Sequence, residues 1–479
     1  MRELLQALPE GCAVLCVEAF QEVMGTAMAA GLPGDPRLTI IRTDDPVAAA
    51  AALARLGSGK FRRVIELPLS AGYRLAPDVY GRIRRALEQE LKRHWQNRLT
   101  LIALGNLQVR NLIANLPLLG KAADFGAFST DMPILLVGAG PSLEGILPVA
   151  VRLRDRFLLV AVDTALPSLM TLGIHPDVVI ALEAQAANLG DFIPGFAEDS
   201  MLACDLSSHP VAARLAAGRL SFFSSAFAPL RIFGRMEAAG LRPEPIPALG
   251  SVGVAGLHAA LQLTRGEIYL AGLDFAFSEG RTHARGSPPH LQMLTHSARL
   301  SPIGLDTYRA MSARQLVRSI SKNGTTVRTD AVLHSYRDSL EVEAQESKGR
   351  VIDCGAWGLD LGVTKMSVPE LEERLAAGKS SENRLHKDPA RRFQVGRLRT
   401  FLASERTLLE RFITATAGNL SRGAPFTDDL RQLLLDVDYA WIHFPDEPDF
   451  ASPGPGFLAR ARVAAAYYEQ RIQRAASVI

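Results

Sequence analysis

The chain lacks an excess of either charge: 53 Lys and Arg stand against 50 Asp and Glu, a formal net charge of +3 in 479 residues. So small a balance argues for neither a nucleic-acid partner nor a membrane surface, and no Lys/Arg-rich run with interleaved aromatics appears. There are only four cysteines, Cys12, Cys16, Cys204 and Cys354, and they lack the paired spacing of a zinc site. Cys12 and Cys16 fall in an apolar, strand-like run, where buried thiols are expected. No uninterrupted apolar run approaches the ~18 residues of a membrane span, so no membrane insertion is expected. The first residues, Met1 to Glu10, are acidic and too weakly apolar for a secretory signal, which makes a cytoplasmic location the expectation. With 48 % hydrophobic and 22 % charged residues the composition is that of an ordinary globular protein. The length sets a prior of about two to four domains.

What the chain does have is concentrated in Pro133-Ile-Leu-Leu-Val-Gly-Ala-Gly-Pro-Ser-Leu-Glu144. Ile134 to Gly138 suits a strand buried on both faces, Gly138 and Gly140 permit close backbone approach, and Pro141 and Ser142 suit a helix entry whose amides face an anion. The third glycine of the dinucleotide signature is missing, replaced by Leu143, so a mononucleotide or sugar nucleotide fits better than NAD. A plain strand-to-helix turn carries similar weight for an isolated G-x-G. The next two apolar runs, however, end in acids, Asp163 and Glu183, and acids at the carboxyl ends of parallel strands line the ligand crevice.

A second constellation repeats the device. Gly250-Ser-Val-Gly253 opens an apolar helix, and Glu267 to Phe275 returns as strand and loop. Ser251 and the amides around Gly253 suit a phosphate or ribose, while tight helix packing through Gly253 and Gly256 is the alternative. The loop Ser278-Glu-Gly-Arg-Thr-His-Ala-Arg-Gly-Ser287 follows, and His283, His290 and His296 cluster there. Such a loop suits a general base and an anion-binding arginine; its spacing fits no metal motif, so no metal site is expected.

The patterns divide the chain into a small α/β domain over 1–128, a central Rossmann-like, mostly parallel sheet domain over 129–378, and a helical domain over 379–479. The first has strand-like runs at Ala13–Val17, Leu38–Ile41 and Val64–Leu67, a helix over Asp78–Trp95 and a helical linker over Leu101–Leu119. Further sheet strands are expected at Met201–Cys204, Leu220–Phe223, Glu267–Ala271, Thr326–Arg328 and Arg350–Ile352. C-terminal helices are expected at Asp388–Ala417, Asp428–Trp441 and Gly456–Ala476. Arg391, Arg392, Arg397, Arg399, Arg406 and Arg411 read as a solvated face balanced by Glu405 and Glu410.

Taken in order, Gly138-Ala-Gly-Pro-Ser-Leu143, Asp163-Thr-Ala-Leu166, Gly173-Ile-His-Pro-Asp177, Gly250-Ser-Val-Gly253, Gly272-Leu-Asp-Phe275 and Gly280-Arg-Thr-His-Ala-Arg-Gly286 resemble the motility accessory factor (Maf) family of flagellin glycosyltransferases. The central domain of that family is similar to the 6-hydroxymethylpterin diphosphokinases (DUF115, MptE-like) and, more remotely, to bacterial sialyltransferases. The resemblance implies a three-domain enzyme with a sialyltransferase-like central fold, transferring a pseudaminic- or legionaminic-type nonulosonic acid from its CMP-activated form to Ser/Thr hydroxyls of flagellin. An inverting mechanism is expected, with no cofactor beyond the CMP-sugar co-substrate.

By the same resemblance Gly138, Gly140, Pro141, Ser142, Asp163, Thr164, Glu183, Ser251 and Gly253 would bind the donor nucleotide, and His283 and Asp274 would be catalytic. Arg281, Thr282, Arg285 and Tyr308 would meet substrate or phosphate, and His296 or Tyr308 stands as an alternative base. Leu273 departs from the glutamine the family often has there, and Glu183-Ala184 from its commoner acid and polar pair. The alternative readings are pyrophosphoryl transfer from ATP, which would call for Mg2+ and acids such as Asp163, Glu183 and Asp274, and a non-catalytic flagellin-binding protein.

Overall fold

The structure is a computed structural model that describes residues 2–9, 12–29, 34–68, 72–216, 218–225, 227–278, 280–345, 347–378, 380–381, 384–422, 426–446, 448 and 450–479. Met1, Glu10 and Glu279, named above, lie outside them. The chain divides into two compact units, Met1–Ala103 and Leu104–Ile479.

In the first unit β1 (Val14–Glu18) and β2 (Leu38–Arg42) pair in parallel. The helix Pro46–Leu56 starts on Asp45, whose carboxylate accepts from the amides of Val47 and Ala48. Its Ala49 and Leu53 pack with Ile83, Leu87 and Leu91. Those last three belong to one helix of 39 residues, Pro77–Asn115, where two segments are expected from the sequence; with no proline beyond Pro77 to interrupt the backbone ladder, it runs on. Val64–Leu67 forms no strand. The β1–β2 sheet stops at two strands, and Ile65 and Leu67 are exposed. Cys12 and Cys16 are half-buried rather than enclosed, because the short sheet covers them incompletely.

The second unit is built on a ten-stranded sheet. Its members are β3 (Ala123–Asp124), β5 (Ile134–Val137), β6 (Leu158–Val162), β7 (Val178–Ala181), β8 (Met201–Asp205), β9 (Leu220–Ser225), β10 (Glu244–Ile246), β11 (Ile268–Ala271), β14 (Val351–Asp353) and β15 (Thr364–Lys365). Between them in sequence fall β4 (Phe128–Ser129), β12 (Val317–Ile320) and β13 (Thr326–Thr329), and after them β16 (His386–Lys387). The order is β10-β9-β8-β7-β6-β5-β11-β14-β15, with β3 on β9 and every ladder parallel. Period-two alternation sends Ile134 and Leu136 to one core, and Leu135 and Val137 to the other. Both faces are covered, which is why these strands read as unbroken apolar runs. After β3, which lies on β9, the chain enters the middle of the sheet at β5, steps outward to β10, then returns to the other side of β5 with β11. The strand order therefore reverses between β5 and β11. The α/β class, the parallel sheet and the helical C-terminal region are as expected.

In the second unit three readings differ. Thr326–Thr329 lies outside the parallel sheet, pairing antiparallel with β12 through a Ser321–Gly324 turn closed by the Gly324 amide on the Ser321 carbonyl at 2.9 Å. The Asn323-Gly324 pair, with Gly324 at φ 83, is a hairpin signal that outweighs the strand–helix rhythm around it. In the C-terminal region helices Val395–Arg422, Asp428–Asp436 and Pro455–Ser477 form, but β16 also pairs antiparallel with β4. Glu405 does not balance a solvated face. It is buried and pairs with Arg235 at 2.5 Å, whereas Glu410 does meet Arg406, at 2.9 Å.

The helix Val368–Ala376, which follows β15, starts on a complete capping box of Ser367 and Glu370. Ser367→Ala is expected to cost about 1 kcal/mol, read as a lowered urea midpoint with unchanged slope.

Candidate functional site

At a reversal of strand order the loops on either side diverge and leave a crevice at the carboxyl ends of the strands. Here that crevice is closed at its base by an interlock. The glycine loop after β5 lies against the loop after β11: the amides of Gly138 and Gly140 donate to the carbonyls of Ala271 and Gly272, each at 2.8 Å. The Ser142 amide donates to Asp274 Oδ2 at 2.9 Å, the Ser142 hydroxyl donates to Asp274 Oδ1, and Ser142 Oγ accepts from the Gly272 amide at 3.1 Å. A methyl at Gly140 would lie 2.7 Å from Asp274 Cγ, and one at Gly138 2.6 Å from Leu273 Cδ2. Close approach is what these glycines serve, but the partner is another loop.

This changes the roles expected of three residues. Pro141–Gly145 is a five-residue 3-10 turn rather than the start of a long helix. The Ser142 amide is already committed to a carboxylate rather than offered to an anion. Asp274 is buried, and burial pushes its carboxyl up to about 6 against the lowering pull of Ser142 and Lys322.

The second glycine motif is different. Helix Val252–Leu263 begins at Ser251, which is extended and makes no side-chain cap, leaving its first-turn amides without a capping side chain. Gly253 is nevertheless a packing glycine, since a methyl there would meet Leu273 Cδ2 at 2.7 Å. Tyr336 lies beside Gly250, where a methyl would come within 3.3 Å of its ring.

From Tyr336 a row of buried titratable groups extends across the strand ends. Burial and then Glu183 raise the Tyr336 hydroxyl. Burial raises Glu183 itself. Burial, Asp191 and Glu183 together push Asp163 up to about 8, although Thr164 donates to it through both amide and hydroxyl. Asp191 is pushed up to about 6, by burial first. Oδ2 of Asp163 and Oδ2 of Asp191 are buried without a partner. On the other side Arg314 pairs with Asp330 at 2.7 Å and acts on both Tyr336 and His283.

His283 lies in the loop that leans on the first glycine loop, through the Ala284 amide on the Ala139 carbonyl at 2.8 Å. Burial, with help from Arg314, depresses its imidazole to about 4, and Nδ1 has no partner. The general base expected from the sequence is thus a weak one, its imidazole neutral in the free protein. Arg281 donates to Glu144 at 2.5 Å and lies over Trp357, and Glu144 also accepts from the Arg285 amide at 3.0 Å. The Arg281 side chain is thus held by a carboxylate, whereas that of Arg285 is exposed, its guanidinium 3.8 Å from Glu144. Thr282 is half-buried between them. Tyr308 and His296 sit on the exposed helices Ile303–Ser312 and Pro288–His296, neither of which has a buried residue.

Sequence reasoning missed Asp191, Arg314 and Tyr336. None ends a strand, and each reaches the crevice only through tertiary packing. Asp163, Glu183 and Asp274 are not gathered as one ligand set, because Asp274 is turned to Ser142; among the described residues no three His, Cys, Asp or Glu side chains are disposed to hold a metal ion. A separate cavity of about 800 Å³ lies at the amino ends of the strands, lined by Asp177, Met201, Arg219 and Leu220 among others, with Arg219 on Asp199 and Arg384 on Asp177 at 3.1 Å each.

Fold and site together define a doubly wound α/β protein with a crevice where the strand order reverses between β5 and β11. Residues 110–280 match the family described as 6-hydroxymethylpterin diphosphokinase MptE-like. An uncharacterized protein of Treponema pallidum (strain Nichols) is 27 % identical over 502 aligned positions, spanning 98 % of this chain and 85 % of the relative. The solved structure of a MAf glycosyltransferase from Magnetospirillum magneticum AMB-1 superposes with a TM-score of 0.54 at 17 % identity, covering 98 % of this chain and 72 % of that one. The chain is Maf-like in fold and carries an MptE-like domain. No described helix is long and apolar enough to cross a membrane.

Proposed function

We propose that this chain is a cytoplasmic glycosyltransferase that moves a nonulosonic acid from its CMP-activated form to Ser/Thr hydroxyls of flagellin. The observation that supports it best is a neutral imidazole, His283, at the edge of a crevice whose other wall ends in the uncapped helix start at Ser251, within a fold shared with a MAf glycosyltransferase. The bond from the sugar to the CMP phosphate breaks, a bond from the acceptor oxygen forms, the hydroxyl proton passes to His283, and CMP leaves as its anion. A loose, oxocarbenium-like transition state needs positioning and charge stabilisation more than a strong base. The anionic donor itself would draw the His283 pKa upward. First-turn amides at Ser251–Gly253 receive the phosphate, and Glu183, Asp163 and Thr164 face the nucleoside.

The family match at 110–280 favours a second reading, pyrophosphoryl transfer from ATP with Mg2+. Thermal shift separates the two: CMP alone is expected to raise the melting temperature, by the equivalent of about 2.7 kcal/mol at a hundredfold excess over its Kd, with ATP and Mg2+ producing no shift. The reverse pattern would favour the diphosphokinase, and no shift with either would favour a non-catalytic flagellin-binding protein. Mass spectrometry of flagellin from cells with and without the gene then reads the transfer itself.

A further inference from the structure

Behind the interlock of the two loops lies a group of three charges: Asp274 after β11, Asp353 at the end of β14, and Lys322 in the β12–β13 turn. Lys322 Nζ is 2.5 Å from Asp353 Oδ2, with side chains 5 % and 2 % exposed. The turn is bolted in place by the Lys322 amide and the Ser321 hydroxyl, which both donate to the Gly358 carbonyl, at 3.0 and 2.9 Å. The Leu359 amide in turn donates to the Asp274 carbonyl at 2.8 Å. Gly355 closes the remaining space, where a methyl would lie 3.0 Å from Ser142 Oγ, 3.1 Å from Lys322 Nζ and 3.2 Å from Asp353 Oδ1. Ser142, Lys322 and Asp353 therefore surround one small volume next to Asp274.

A lysine that served only as partner to Asp353 would need no second carboxylate nearby. Here one ammonium faces two buried carboxylates, and Asp274 feels both the attraction of Lys322 and the repulsion of Asp353. We propose that Lys322 is a positioning residue: carried into place by the β12–β13 turn that hangs on the Gly358 carbonyl, its ammonium holds Asp274 as the carboxylate on which the Ser142 hydroxyl and amide hang, and so fixes the Gly138–Leu143 loop at the reversal of the sheet. Charge-assisted hydrogen bonds are about twice as strong as neutral ones, so the loop is held firmly only while that carboxylate is compensated. Lys322 makes no contact with a ligand in this scheme; it acts through Asp274 and Ser142.

The proposal rests on the crevice being the ligand site, but its test needs neither donor nor acceptor, so it can fail while the transferase reading stands. Hydrogen exchange by mass spectrometry on the full, unliganded chain compares D353N with K322M/D353N. D353N leaves one ammonium with one carboxylate, and peptides spanning 138–146 are expected to exchange as in the parent protein. The double variant removes only Lys322 from that background. Its loop peptides are expected to exchange about tenfold faster, while its melting temperature and the exchange of the β5 and β6 strands match those of D353N. Equal loop exchange in the two variants would overturn the proposal, because Lys322 would then serve Asp353 alone. Fast loop exchange in D353N would overturn it as well, by making Asp353 the anchor. A double variant that does not fold where D353N does would show that the lysine's work is global rather than confined to the loop.

Discussion

His283→Ala is expected to lower the transfer rate by about 10²- to 10⁴-fold, the usual worth of a positioned general base, with the donor KM little changed. Its imidazole sits about 4 in the free protein because burial and Arg314 both disfavour the cation. Transfer measured as kcat/KM should therefore hold level as pH falls from 8 to about 5 and decline only toward that value, since the free enzyme's base sets this limb. An acid limb near 6.5, the ordinary imidazole value, would take the proton away from His283. The same depressed value acts on stability. Between about 6.5 and about 4 the unfolded chain takes up a proton at His283 that the folded chain refuses, so this contribution is present above the unfolded value and lost as pH falls through the window. H283Q should be less sensitive to acid over that range, measured by urea midpoints. A single-turnover rate for H283A equal to that of the parent would remove His283 from the mechanism.

Gly138→Ala and Gly272→Ala are each expected to cost about 3 kcal/mol, the upper end of what overpacking usually costs, at a site that cannot yield. Each added methyl would overlap the other residue's carbonyl group. Backbone cannot rotate away as a side chain can, so the loops after β5 and β11 must part. Gly272 carries a further penalty of about 1–2 kcal/mol because it stands at φ 68 in the left-handed region. The two changes damage one contact, so the double variant should cost clearly less than the sum. Gly145→Ala is the control, with nothing within 4 Å of the added methyl, and should stay within about 0.5 kcal/mol of the parent. Urea denaturation measures all four. A Gly138→Ala protein as stable as the Gly145→Ala control would mean the loops are not locked as described.

Comparison with the sequence shows where reading along a chain succeeds. Buried strands of a parallel sheet announce themselves as apolar runs, and β5 to β8 were all legible on that ground. An acid closing such a run was a sound pointer to the carboxyl ends: Asp163 and Glu183 satisfy it, and so does Asp353, which the same rule could have singled out. Gly138 and Gly140 were legible as a demand for close approach. What approaches them was not, because Gly272 and Asp274 are local to the glycine loop only after folding. Lys322 carried no signal beyond the Asn-Gly turn that follows it. The His283 pKa was misjudged because burial and the field of Arg314 are properties of packing, and Asp191 and Tyr336 were missed for the same reason.

The bond between Ser142 and Asp274 spans 132 residues of chain. During synthesis at about 5–20 residues per second, the glycine loop emerges on the order of ten seconds before its anchor exists. Throughout that interval β5 has β6 on one side and an open edge on the other, with the apolar groups of both faces in search of cover. The central strand of the sheet is thus among the first to be made and must wait for a late one to complete it. Nascent chains stalled before β11 should be readily cleaved by protease within 134–145, and chains stalled after β14 has emerged should resist.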